Sequence, residues 1–170
     1  EANLLWAKPT LGDGSEGNDV TTDANANVLS TGWFEGASDF NPGTGIFSMT
    51  SAGTSDVYIT KLDAAGNFLW AKQIGSTGSN KGVALTTDAA GNVYVAGIFY
   101  GTADFNPGVG TANLTSAGDA DVFILKLDAA GNFVFAKQVG TDFADAVGRI
   151  ALDASGNILL VGSLQGTGDF

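Results

Sequence analysis

The chain has 170 residues, 44% of them hydrophobic and 15% charged, with 25 glycines and a formal net charge of −11. That balance describes a folded, turn-rich chain, and the sign of its charge opposes binding to nucleic acid or to an anionic membrane surface. With no histidine and no cysteine, it can assemble no Ser-His-Asp triad, thiol nucleophile, disulfide scaffold, or zinc or haem site ligated by His or Cys.

No apolar run reaches the roughly 18 residues of a membrane-spanning helix. The chain opens on Glu1, with neither an initiator Met nor a signal segment, so a mature or excised part of a longer polypeptide is expected. Residues 3–8 (Asn-Leu-Leu-Trp-Ala-Lys) match 67–72 and 132–137, so the chain enters part-way through a repeat. A polar, glycine-rich connection follows over 9–19. A first unit has strands predicted around 20–23, 28–34, 56–62 and 68–74, with a long connection over 35–55. A second unit repeats this at 82–87, 93–99, 121–127 and 133–139, and a third begins with 148–152 and 158–164 before Gly168-Asp169-Phe170. The divisions are therefore 1–19, the last strand of a preceding unit and its connection; 20–81; 82–146; and 147–170, two strands of a third unit.

The phrase Asp-Ala-Ala-Gly-Asn at Asp63, Asp88 and Asp128, with variants at Asp23 and Asp153, punctuates these strands at alternating spacings of 40 and 25 residues, a true period of 65. An Asp that accepts backbone N–H bonds, two alanines in right-handed positions and a left-handed glycine make a bulged hairpin turn. The first copy has Ala26 where the others have Gly, so Asn25 is expected to take the left-handed role there. A calcium loop is the alternative for these turns, opposed by their single acid. The strands are apolar on both faces: Val93, Val95 and Phe99 alternate with Tyr94 and Ile98. Such sheets have to be covered on both sides. The fold class predicted is all-β, an incomplete ring of about two and a half β-propeller blades, each a four-stranded antiparallel meander.

Asp88–Gly97, Asp104-Phe105-Asn106-Pro107-Gly108 and Asp121–Asp128 together resemble the SBBP family of β-propeller repeats, over nearly the whole chain. The turns are also similar to those of NHL-type propellers. The resemblance implies bacterial secreted or cell-surface proteins, often long and multidomain, with no shared catalytic set, and a first strand that lines the central axis. Such a segment needs partners for its open faces: other blades of the same longer chain, or copies of itself.

Alternating strand direction places all Asp-x-x-Gly-Asn turns on one rim and the long connections on the opposite one. On the long connections, Asp39/Asn41 and Asp104/Asn106 follow a D-x-N-x-G spacing, and Asp56 and Asp121 are positioned to return toward them. Alternate oxygens before a glycine turn suit calcium; the other reading is an Asx-turn into Pro-Gly, with Phe40 and Phe105 anchoring the loop. Trp33, Phe40 and Phe105 are the candidate ligand-facing aromatics, and Trp6, Trp33 and Trp70 the candidate inter-blade packers. Lys8, Lys61, Lys72, Lys126 and Lys137 are expected to be solvated or snorkelling at blade edges. Function is expected to be non-catalytic: a scaffold or adhesion unit, or alternatively a propeller that binds glycan or another extracellular polymer, with or without calcium. An enzyme built on paired acids is opposed by acids that recur once per unit.

Overall fold

The computed structural model describes residues 5–9, 11–12 and 14–166. Among these residues there are strands and turns and no helix. In order the strands are β1 (Leu11–Gly12), β2 (Ser15–Thr22), β3 (Val28–Phe34), β4 (Ala37–Asp39), β5 (Ser48–Thr50), β6 (Asp56–Leu62) and β7 (Phe68–Ile74). They continue with β8 (Lys81–Thr87), β9 (Val93–Asp104), β10 (Asn113–Leu127), β11 (Phe133–Val139), β12 (Ala146–Leu152) and β13 (Ile158–Ser163). Residues 5–9 join no sheet, while residues 1–4 of the strand expected there, and Gly168-Asp169-Phe170, lie outside the described residues.

Each turn closes as the residue types dictate. Asp23 Oδ1 accepts from the Asn25 and Asn27 amides at 2.9 and 3.0 Å, and its Oδ2 accepts from Asn27 Nδ2 at 2.9 Å. The same three bonds recur at Asp63, Asp88, Asp128 and Asp153. Gly66, Gly91, Gly131 and Gly156 take φ between 80° and 82°. In the first copy Ala26, and not Asn25, takes the left-handed place, at φ 60°. Residue 26 stands where the other turns have their glycine, so the same hydrogen bonds impose the positive φ on it.

These turns fold two antiparallel four-stranded sheets, β2-β3-β6-β7 and β8-β9-β10-β11, with β12-β13 as a third pair. Their registers match after a shift of one period: Val28 faces Leu62 as Val93 faces Leu127, and Phe34 faces Asp56 as Phe99 faces Asp121. The first strands lie side by side, β8 against β2 and β12 against β8. Asn18 Nδ2 donates to the Gly82 carbonyl at 2.7 Å, and Leu85 N donates to Asp19 Oδ2 at 2.9 Å, stitching the first two units together there. Four-stranded meanders that converge on their first strands are compatible with propeller blades, in an arc that does not close.

Packing follows the alternation of the strands. Leu29, Val57, Ile59 and Ile74 of the first unit share one core with Val93, Val95, Phe99, Phe123 and Leu125 of the second. The opposite face of the second unit, with Tyr94, Ala96, Val122 and Ile124, packs on Val147 and Ile150 of the third. The facing sheets of successive units thus form joints, and burial of these apolar side chains at roughly 1.5–3 kcal/mol each is what holds the units in sequence.

The long connections are not loops. In the second unit β9 and β10 run on as a two-stranded ribbon, pairing Asn113 with Asp104 and Thr115 with Thr102. In the first unit β4 and β5 form the same ribbon. Gly36 (φ 58°) and Gly101 (φ 65°) mark the point where each ribbon leaves its sheet. Each ribbon pairs with the connection that precedes its own unit: β1 with β4, and Gly75 with Asp104.

Candidate functional site

The Asp-Phe-Asn-Pro-Gly segments form the ribbon tips. Asp39 Oδ1 accepts from Asn41 N at 3.0 Å and Phe47 N at 2.8 Å, and Asn41 Oδ1 accepts from Gly43 N at 2.9 Å. Asp104 and Asn106 repeat this with Asn106 N, Ala112 N and Gly108 N as donors. The two backbone donors hold the Asp39 carboxyl below its ordinary 3.8. Phe40 and Phe105 are 1% and 0% exposed and sit edge-on to Phe34 and Phe99 at 5.0 and 5.2 Å. They anchor the ribbons and present no stacking surface.

Asp56 does not join Asp39. It is fully buried at the base of the ribbon, where its Oδ2 accepts from Ala52 N at 2.8 Å and Gln73 Nε2 at 2.6 Å. Gly75 lies directly over it, so that a Cβ at 75 would fall 2.0 Å from the Asp56 Cγ. Gly75 in turn bridges Asp104, which places the end of β7 beside the next unit's ribbon. Asp121 repeats the arrangement with Ala117 N, Gln138 Nε2 and Gly140. The Oδ1 atoms of Asp56 and Asp121 are buried without a hydrogen-bond partner. Among the described residues no group of three or more His, Cys, Asp or Glu side chains converges as a metal would require. Gln73, Gln138, Gly75 and Gly140 escaped the sequence reading, although their recurrence one period apart was the available signal.

The ribbon also overturns the expectation of two opposite rims. It doubles back, so that Asn106, Gly108 and Val109 line a cavity of about 240 Å³ together with Lys72, Asn132 of the turn between β10 and β11, and Phe133 at the start of β11. Phe47 of the first ribbon likewise reaches Phe68 at the start of β7, with ring centroids 5.0 Å apart. Ribbon tips and hairpin turns therefore meet on one rim.

Lys61 corrects the expectation of solvated lysines. It is 4% exposed, its Nζ lies 2.9 Å from Asp23 Oδ2, and it donates to the Ala129 carbonyl of the next unit at 3.2 Å. Burial pushes the Asp23 carboxyl up, but hydrogen bonds from Lys61, Asn27 and Asn25 outweigh it and hold the group at about 2. Lys126 stands 3.9 Å from Asp88 and 4.7 Å from the centroid of the Tyr94 ring, whose hydroxyl donates to Asp88 at 3.2 Å. Trp33 is engaged at the joint as well, with Lys81 Nζ 4.8 Å from its ring centroid. Trp6 and Trp70 lie across Gly66 and Gly131 of the following hairpin turns.

The polar groups singled out in the sequence thus serve turns, ribbons and joints, once per unit. No family model matches the chain. It is 34% identical to an uncharacterized WD repeat-containing protein of Acanthamoeba polyphaga mimivirus, over 59% of this chain and 8% of that protein. It is 30% identical to the regulatory protein FlaEY of Caulobacter vibrioides, over 65% of this chain and 11% of that protein. The chain therefore spans about a tenth of the curated relatives it matches. Likeness to a WD repeat-containing protein points to a propeller-type repeat and agrees with the four-stranded sheets. The narrower resemblance to SBBP repeats rests on the sequence motifs alone.

Proposed function

We propose that the chain is a run of propeller blades within a longer bacterial protein, secreted or held at the cell surface, that serves as a non-catalytic scaffold or adhesion module. The observation that carries this reading is the repetition of the buried polar arrangement at the ribbon base one period apart, Asp56 with Gln73 as Asp121 with Gln138. Catalysis needs groups set apart from their copies, whereas a scaffold needs each joint to be like the last. Likeness to a WD repeat-containing protein supports an interaction module in general. The test is binding of the purified chain to a panel of extracellular proteins and glycans, with a screen for sugar release. A scaffold gives no turnover, and turnover abolished by substituting one acid would overturn the reading.

A second reading is a ligand-binding propeller for glycan or another extracellular polymer, supported by the seam cavity beside Lys72 and Asn106. Calcium enters this reading through the D-x-N-x-G spacing of Asp39/Asn41 and Asp104/Asn106. Saturable binding on a glycan array that Lys72→Met and Asn106→Ala abolish would favour this reading over the first. Calcium titration that gives neither heat nor a rise in Tm would remove the cation from it.

A further inference from the structure

The two ribbon tips share a backbone and differ in what lies over the outer strand. Phe47 N donates to Asp39 Oδ1, and the Phe47 carbonyl accepts from Phe40 N. Ala112 makes the same two bonds with Asp104 and Phe105. Residue 112 is thus the counterpart of residue 47, with a methyl group in place of an aromatic ring. In the first unit that ring lies tilted against Phe68 at the start of β7, with centroids 5.0 Å apart. In the second unit Phe133 holds the place of Phe68 and has no aromatic partner among the described residues. It lines instead the cavity of about 240 Å³ shared with Lys72, Asn106, Val109 and Asn132.

Three polar groups in its wall keep bonding capacity. Asn106 Oδ1 accepts from Gly108 N, which leaves Nδ2 as a donor. Asn132 Nδ2 donates to Asp128 Oδ2, which leaves Oδ1 as an acceptor. Lys72 Nζ forms no ion pair or hydrogen bond among the described residues. Asp104 and Asp128 stand behind the two asparagines, accepting from Asn106 N at 3.0 Å and Asn132 N at 2.8 Å. Their charges offset that of Lys72, and the whole chain is at −11, so an anionic ligand gains little here. The cavity is smaller than the roughly 300 Å³ at which drug-sized pockets begin, which suits one ring and not a row of them. We infer that it takes a single neutral hexopyranose, the terminal unit of an uncharged extracellular polysaccharide, and that Ala112 is what opens it. The apolar face of the sugar stacks on Phe133 as Phe47 does on Phe68, while its hydroxyls meet Lys72, Asn106 and Asn132. The inference rests on the ligand-binding reading above and gives it a sugar class and a place.

The test is an NMR titration of the isotope-labelled chain with the methyl glycosides of glucose, galactose and mannose. Glucuronic acid and N-acetylphenylalaninamide serve as ligands of the two other classes, an acidic sugar and an aromatic side chain. At least one glycoside is expected to give saturable shifts confined to the amides of 106–112 and 131–133, and both comparison ligands should bind several-fold more weakly. Ala112→Phe restores the ring that the first ribbon carries, so it should lower affinity about tenfold while raising Tm. Phe133→Leu keeps the site apolar without a stacking face and should lower affinity several-fold. Glycoside binding that Ala112→Phe leaves intact, or shifts centred elsewhere, would overturn the site while the ligand-binding reading stands. Tighter binding of glucuronic acid or of the aromatic amide would overturn the neutral sugar as occupant. A fall in Tm for Ala112→Phe would show that a ring does not fit the cavity and would also overturn the inference. So would the absence of saturable shifts with every glycoside, and an empty glycan array would then remove the ligand-binding reading as well.

Discussion

Lys61 Nζ lies 2.9 Å from Asp23 Oδ2, with both side chains almost wholly buried at the seam between two repeats. The pair ties the first hairpin turn of one unit to a strand of the same unit, and through the Ala129 carbonyl to the next unit. Removing one member leaves the other charge without compensation. Lys61→Met is therefore expected to destabilise the fold by about 3 kcal/mol. Lys126→Met, at 3.9 Å from its acid and partly solvated, should cost under about 1 kcal/mol. Urea unfolding of the two variants checks this, and similar losses would show that the buried geometry carries no special weight.

The pH dependence has a definite sign. The Asp23 carboxyl is at about 2 in the fold against 3.8 ordinarily, and those of Asp39, Asp63, Asp88, Asp128 and Asp153 are also lowered. Groups depressed by folding contribute stability that is fully present above the ordinary value and lost as pH falls through the folded value. For Asp23 that contribution is on the order of 2 kcal/mol. The chain has no histidine, so stability followed by tryptophan fluorescence should be nearly flat between about pH 5 and 8 and fall steadily below about pH 4. A transition centred near neutrality would contradict this account.

The five turns offer an internal control on backbone strain. Ala26 sits at φ 60°, and Gly156 at φ 82° has open space where a Cβ would be. Ala26→Gly should stabilise and Gly156→Ala destabilise, each by about 1 kcal/mol. Gly131→Ala should cost more, because its Cβ would fall 2.7 Å from the Lys72 Cε and 3.3 Å from the Trp70 ring. Thermal melts rank the three.

Gly75 is the tightest of the test positions. A methyl group there would meet the buried Asp56 carboxylate at 2.0 Å, on the strand end that bridges Asp104. Gly75→Ala should destabilise by more than about 2 kcal/mol, since overpacking displaces a group that cannot swing into solvent. Asp56→Ala in the same chain should recover part of the loss. An unchanged urea midpoint for Gly75→Ala alone would show that the joint is looser than described.

Much of this was determined by the sequence alone. The period, the hairpin turns, the four strands of each unit and the two-faced alternation of Val93, Val95 and Phe99 against Tyr94 and Ile98 follow from local residue preferences and side-chain parity, which need no knowledge of distant neighbours. The tertiary structure decided what depends on contacts across a seam. It turned the long connections into ribbons that fold back onto the hairpin rim, buried Phe40 and Phe105, paired Lys61 with Asp23, and separated Asp56 from Asp39. A lysine's partner and a ribbon's direction are set by burial and hydrogen bonds between residues far apart in the chain, some within one unit and some about one period apart, and no local pattern encodes them.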